Sequence, residues 1–325
     1  MTLQSIIHNI SQREDIINQP PVLLDIGASD GINPMWKSIA RFSICIAFDA
    51  DNREFEYIEK EESGFKKLFS FSKIVVDKHE NNSTKRNFYL TQSPYCSSLL
   101  HPDNTSVAKY HFSELFNVEK EAQIDTITLN EVLEKTGVQK VDWFKSDTQG
   151  TDLRLFTSVS KDVQQNVLLL ELEPGFIDAY KGEDKIFHTL QYLESLKQFF
   201  LIHFTVKGPY RLPSADFNIL FPSAFTKTLA HQSIKPVPGW AEMIYMNELP
   251  QADVTSRDYV LSWLFATLQN RHDVAYSYAK KAIEKYNEPI FTECEKYSIK
   301  QLKGKIQQLG SMLKVVVKAI KKRIS

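Results

Sequence analysis

The amino-acid sequence predicts an α/β fold: a mostly parallel sheet with helices on both faces, an antiparallel edge, and a separate helical appendage after residue 250. Three observations lead there. Short apolar runs alternate with helical periodicity from Pro21 to about Asn247, the pattern of repeated strand–helix–strand units. The first run, Val22 to Ile26, is too short and too uniformly apolar for a surface strand and suits a central one covered on both faces. From Asp253 onward only helical patterns remain.

Taken in order, Leu3 to Asn18 carries apolar residues at helical spacing, and Gln19-Pro20-Pro21 stops it. Strands are expected at Val22 to Ile26, Ser43 to Phe48 and Lys73 to Asp77, with a helix from Arg53 to Glu62 and a short strand at Asn87 to Leu90. Thr128 to Thr136 reads as a helix that Gly137 terminates. Val141 to Lys145 and Val167 to Leu172 read as strands, with a helix from Asp152 to Ser158 between them. Phe187 to Lys197 is an amphipathic helix leading into a strand at Phe199 to Val206, and Phe217 to Phe221 with Met243 to Met246 would close the sheet as an antiparallel pair. Tyr259 to Gln269, Asp273 to Tyr286 and Ser298 to Leu313 form the helical remainder, so the expected domains are 1–250 and 251–325.

A chain of 325 residues with 42% hydrophobic and 24% charged residues is an ordinary globular protein of one large or two smaller domains. Its formal net charge of −1 gives no support to nucleic-acid binding, which shows as a basic excess. Cys45, Cys96 and Cys294 are widely spaced and odd in number, a pattern of neither zinc ligands nor a disulfide framework, and one that suits a reducing compartment. The N-terminal residues lack a signal-peptide pattern and no apolar run approaches a membrane span, so a cytoplasmic location is expected.

The most informative turn follows the first strand: Asp25-Ile26-Gly27-Ala28-Ser29-Asp30-Gly31-Ile32-Asn33-Pro34. In doubly wound sheets, ligands sit at the carboxyl ends of the strands, and glycines there let the backbone turn and a ligand approach. A dinucleotide fingerprint needs a middle glycine for the pyrophosphate, but that position is Ser29, the third glycine is replaced by Ile32, and Asp30 sets a negative charge on the turn. A cationic sulfonium tolerates those acids, so S-adenosylmethionine is the expected cofactor. Asp49, at the end of the second strand, stands where an acid accepts hydrogen bonds from both ribose hydroxyls.

Val141 to Gly150 (VDWFKSDTQG), followed by TDLRLF, resembles the V-D-x-x-K-x-D-x-E-G-x-E-x-x-x-L motif of FkbM-type methyltransferases. LLDIGASDG resembles the first motif of that family and AFDADN its ribose-binding strand end. NFYLTQSPYCSSLL, IDTITLNEVL and ELEPGFIDAY resemble three further segments in the family's order, so the likeness runs from Val22 to Asn247. It implies a class I, Rossmann-like methyltransferase that carries methyl from S-adenosylmethionine to a hydroxyl oxygen of a sugar- or polyketide-like acceptor. Asp25, Gly27, Ala28, Ser29, Asp30, Gly31, Asp49 and Ala50, with Ser98 from the loop Tyr95 to Leu99, are the expected cofactor contacts. The sequence departs from the motif at Gln149, where the family has glutamate, and at Asp152, where it has a second one. Gln149 lacks the charge of a base or metal ligand, which keeps a non-catalytic cofactor- or partner-binding member as the second reading; a nicotinamide-dependent oxidoreductase is the third.

Methyl transfer to a neutral alcohol needs a group that takes its proton, either a side-chain base or a divalent metal such as magnesium that acidifies the hydroxyl. Asp147 and Glu173 end successive strands and are the expected pair for base or metal ligation. Lys145, two residues earlier, would point the same way and orient Asp147, while Glu171 shares the face of Glu173 deeper in the strand. His203 is the one histidine offered as a base, against the alternative that it simply packs in an apolar strand. Tyr180, Tyr210 and Trp240 are candidates to stack on a sugar ring, although packing explains most aromatics.

The tail Leu313 to Ile324 (LKVVVKAIKKRI) has five basic residues, no acid, and one apolar helical face. Such a helix lies on an anionic membrane, here the inner face, or on a partner; a helix that packs this stripe on the chain's own helices looks the same.

Overall fold

The computed structural model describes residues 2–28, 31–51, 64–80, 83–250 and 252–324, with side chains except at 305 and 308–324. The chain divides into two units, residues Pro21–Glu248 and, together, Met1–Pro20 with Leu249–Ser325.

The first unit is built on ten strands among the described residues: β1 (Val22–Ile26), β2 (Ile44–Phe48), β3 (Lys67–Phe71), β4 (Ile74–Val76), β5 (Lys85–Thr91), β6 (Val118–Thr128), β7 (Trp143–Ser146), β8 (Leu169–Leu172), β9 (Phe199–Lys207) and β10 (Trp240–Asn247). Seven of them form one sheet in the order β3-β2-β1-β7-β8-β10-β9. β3 through β8 run parallel, and β10 is antiparallel to both β8 and β9. This is the doubly wound, Rossmann-like α/β arrangement that the sequence predicts. Strand order reverses between β1 and β7, so the crevice at their carboxyl ends is where such a sheet takes a ligand. All five residues of β1 are buried, as a strand covered on both faces requires. The core joins Leu24, Ile26, Phe48, Phe144, Phe156, Leu170 and Met243 in one cluster.

Three expectations change. The third strand of the main sheet is Lys67–Phe71, which alternates Phe69 and Phe71 along a sheet edge and stacks Phe71 on Phe48 at 5.2 Å. The run at Ile74–Val76 instead joins a second, three-stranded sheet of order β4-β6-β5. Phe217 to Phe221 is not a strand: Ser214–Leu220 is a helix, and Phe217 and Phe221 lie one turn apart with their rings at 5.0 Å. Residues spaced by four share a helix face, and here that face packs on buried Tyr210 and Ala230, which the apolar run alone does not distinguish from a strand. β9 is the antiparallel partner of β10 in place of that segment. The expected helix at 53–62 lies outside the described residues.

The second unit is helical: Leu3–Ser11, Glu14–Asn18, Ser256–Leu268, His272–Tyr286 and Pro289–Ile324. The N-terminal helices therefore group with the C-terminal ones, whereas the sequence reading joined them to the sheet domain. The physical reason is a partner for their apolar stripe, Ile6, Ile7 and Ile10, all buried. Polar ties accompany it: Asn9 Nδ2 donates to Glu293 Oε2 at 3.0 Å, Arg13 pairs with Glu288 at 2.6 Å, and Arg257 Nε donates to the Gln19 carbonyl at 2.8 Å. Inside, Trp263 Nε1 donates to Ser298 Oγ at 3.0 Å, both groups buried. The basic tail continues the last helix, and its side chains lie outside the described residues. Among the described residues no helix is long and apolar enough to cross a membrane. All three cysteines are free.

Candidate active site

The site begins where β1 and β7 end side by side. Asp147 N donates to the Ile26 carbonyl at 2.9 Å, and the Gly27 and Ala28 amides both reach the Phe48 carbonyl, at 3.1 and 3.0 Å. Gly27 has φ +88°, and a Cβ there would stand 2.0 Å from the Asp147 carbonyl oxygen. Glycine is required at 27 because the β7 backbone closes over it. Gly31, at φ +91°, has open space around it, so only its backbone conformation asks for glycine.

One cleft opens at these strand ends. Gly27, Asp49 and Ala50 line it, and Ile74, Val75, Phe88 and Leu99 supply an apolar wall. Asp49 Oδ1 accepts from the Asp51 amide at 2.7 Å, which fixes the carboxylate at the rim of β2. An apolar slot with a fixed acid at one edge suits an adenine ring and a ribose diol. Ser29 and Asp30 lie outside the described residues.

Other expected contacts do not line this cleft. Asp25 is fully buried; its Oδ1 binds Lys145 Nζ at 2.6 Å and its Oδ2 accepts from the Asn33 amide at 3.3 Å. Asp25 and Lys145 are register partners on β1 and β7, so the pair spans the switch point beneath the cleft. Lys145 thus binds Asp25, where the sequence reading aimed it at Asp147. Burial works against its charge, but Asp25 and Asp147 outweigh this and hold the ammonium above its ordinary range. Ala28 and Ser98 are buried beside the cleft without lining it. Ser98 Oγ donates to the Gln149 carbonyl at 2.9 Å, so this serine positions the loop after β7.

That loop holds a dense set of polar contacts. Gln149 holds φ +57° and its Nε2 donates to Asp147 Oδ1 at 2.6 Å. Tyr180 Oη donates to the Cys96 carbonyl at 2.8 Å and stands 3.3 Å from Gln149 Oε1, which fixes the amide with its nitrogen toward the carboxylate. Asp152 closes the loop from below: its Oδ1 accepts from Ser146 Oγ at 2.5 Å, Thr148 N at 3.0 Å and Thr148 Oγ1 at 2.8 Å. Burial and the charge of Asp147 nevertheless push Asp152 up to about 7.

Asp147 and Glu173 each follow a strand by one residue, and the residues before them, Ser146 and Leu172, are register partners. Met243 pairs with Leu172 from the other side, so Glu242 of β10 extends the same row. Three carboxyl groups therefore stand at one level across β7, β8 and β10. Burial, then repulsion from Asp147 and Glu242, pushes Glu173 up to about 9. Burial also raises Asp147, against the pull of Lys145 and the Gln149 hydrogen bond. Glu171 sits a step deeper, beside Lys145, where its Oε1 accepts from Trp143 Nε1 at 2.9 Å and burial raises it to about 7.

A second cavity, of about 600 Å³, opens over this row. Tyr95, Asp147 and Gln149 line both cavities, so the two meet there. Tyr180, Tyr210 and Trp240 all line the second one, as do Glu173 and Glu242. His203 does not: it is exposed on the edge strand β9 and its Nε2 is 2.8 Å from Thr205 Oγ1. The histidines at the cavity are His111 and His231, which sequence reading missed. Tyr210 links them, its amide donating to His111 Nδ1 and its hydroxyl standing 3.1 Å from His231 Nδ1. Glu242 was also missed; the strand expected at Met243 starts earlier, at Trp240, and its pairing with β8 is the signal.

The expected divalent metal on Asp147 and Glu173 finds no support in this donor set. Among the described residues no group of three or more His, Cys, Asp or Glu is arranged to hold an ion.

No curated protein matches the sequence. The family model described as the methyltransferase FkbM domain matches residues 25–199, which include the end of β1, β2, β7, β8, the Gly27 turn and the Asp147–Gln149 loop. With more than half its length matched, this chain belongs to the FkbM methyltransferase domain family.

Proposed function

We propose that the chain transfers methyl from S-adenosylmethionine to a hydroxyl oxygen of a sugar- or glycan-type acceptor. The observation that carries this reading is the meeting of the two cavities at Asp147 and Gln149. Gly27, Asp49 and Ala50 would hold the adenosyl part of the cofactor, with the apolar wall against its base. Bound S-adenosylmethionine supplies an electrophilic methyl on a sulfonium cation, which the acidic row accommodates. The aromatic cavity supports a sugar ring, because Tyr180, Tyr210 and Trp240 offer flat faces beside polar groups.

Asp147 is the group that takes the acceptor proton. It lines both cavities, and the Gln149 amide stabilises its ionised form. Glu173 holds its proton close by, because burial and repulsion from Asp147 and Glu242 oppose its charge. A nearby cation favours the ionised form of Asp147, so the carboxylate that takes the proton is present when the cofactor is bound. Gln149 thus takes a positioning part where the family motif has glutamate, and this argues against the non-catalytic reading.

The test is transfer of labelled methyl to a panel of glycans and hydroxylated small molecules by the wild-type chain and by Asp147→Asn. Label on a carbohydrate hydroxyl, lost in the variant, is expected; label on nitrogen or sulfur acceptors alone would overturn the acceptor class.

A further inference from the structure

Between β9 and β10 lie two consecutive helices, Ser214–Leu220 and Ala224–Ser233. Their inner side belongs to the second cavity's wall: Phe217 and Ala230 are buried with Tyr210, and Tyr210 and His231 line the cavity. Their outer side is apolar and uncovered. Ile219 is 76% exposed, Phe225 71% and Leu220 60%, and Leu229 and Ile234 are exposed beside them. Phe225 and Leu229 are four apart and share one helix face. Large aliphatic and aromatic side chains this open are unusual when they cluster in one short segment.

The charge of the same segment selects the partner. Residues 208–238 contain Arg211, Lys227 and Lys235 and a single acid, Asp216, in a chain whose acids otherwise balance its bases. Arg211 and Lys235 are exposed at the two ends of the helix pair. Apolar side chains with a basic border are what an interfacial helix presents to anionic headgroups.

We propose that this helix pair docks on an anionic membrane surface, so that the cavity it walls receives a lipid-borne hydroxyl acceptor. The docking stands on the exposed residues alone; the acceptor clause rests on the proposed methyltransferase reading and deepens it.

Co-sedimentation of the full chain with vesicles of phosphatidylglycerol and phosphatidylcholine in equal parts tests the docking, with pure phosphatidylcholine as the comparison. The wild type is expected to pellet with the anionic vesicles. The double variant Ile219→Ser, Phe225→Ser and, separately, Arg211→Glu, Lys235→Glu are each expected to weaken that binding by about tenfold or more. The C-terminal basic helix is intact in both variants, so the loss belongs to this segment. Binding of S-adenosylhomocysteine by calorimetry shows that each variant is folded, and its absence in the wild type would sink the methyltransferase reading without touching the vesicle result. The proposal is overturned if the wild type stays in the supernatant or if both variants pellet as it does. It is equally overturned if light scattering finds a dimer that Ile219→Ser, Phe225→Ser dissociates with no vesicle binding, because a second copy then covers the face.

Discussion

Gln149 Nε2 lies 2.6 Å from Asp147 Oδ1, and the residue reaches that position from a left-handed backbone, φ +57°. A glutamine in this place donates to the carboxylate, which a glutamate could do only when protonated. A hydrogen bond to a charged group contributes about 1.5–3 kcal/mol, equal to roughly one to two pKa units. Gln149→Leu should therefore move the ascending limb of the pH–kcat profile at least about one unit toward alkaline pH. An unmoved limb would remove Gln149 from the mechanism.

Asp147→Asn keeps the shape and removes the carboxylate proposed as the base. General acid–base catalysis contributes about a hundredfold or more, so kcat should fall by at least about that factor. Single-turnover transfer with labelled cofactor reads it. Wild-type rates would assign proton removal to another group.

Glu173 gives a stability prediction. It titrates near 9 in the folded chain, against 4.5 for the free carboxyl, because burial and the neighbouring carboxylates oppose its charge. Between those values the folded state holds a proton that the unfolded state has lost, so this group's contribution to stability falls as pH rises. The slope is at most about 1.4 kcal/mol per pH unit for one full proton. Glu173→Gln removes it. The thermal midpoint of the variant relative to wild type should climb steadily from pH 5 to about pH 8; a constant difference would contradict the protonated state assigned here.

The two glycines of the first turn should behave differently. At Gly27 a methyl group meets the Asp147 carbonyl, while at Gly31 it meets nothing. Gly31→Ala should cost roughly 1–3 kcal/mol from its backbone alone. Gly27→Ala should cost more and also weaken binding of S-adenosylhomocysteine, since β7 must move. Urea unfolding and calorimetry measure the two effects, and equal losses would mean that the close approach is unimportant.

Much of this site is visible in the linear sequence, for a simple reason. Asp147 and Glu173 follow buried apolar strands, whose composition marks where a parallel sheet ends. Gly27 and Asp49 are legible on the same ground. What the sequence hides is pairing between distant segments. Lys145 turns to Asp25 because β7 lies beside β1, a neighbour 120 residues away in sequence. Glu242 joins the acidic row only through the antiparallel register of β10 on β8. His203 looked eligible within its strand, but β9 is the sheet edge and carries it away from both cavities. His203→Ala should accordingly keep wild-type kcat. Phe217 to Phe221 was ambiguous by pattern, since a short apolar run fits a helix face as well as a strand.

The most direct measurement is isothermal titration calorimetry of S-adenosylhomocysteine into the wild-type chain and into Asp49→Ala. Saturable heat for the wild type, with affinity reduced by about tenfold or more once the carboxylate proposed to bind the ribose is gone, is the expected result. No heat from either protein, alongside tight binding of a nicotinamide dinucleotide, would contradict the assignment of the cleft at Gly27.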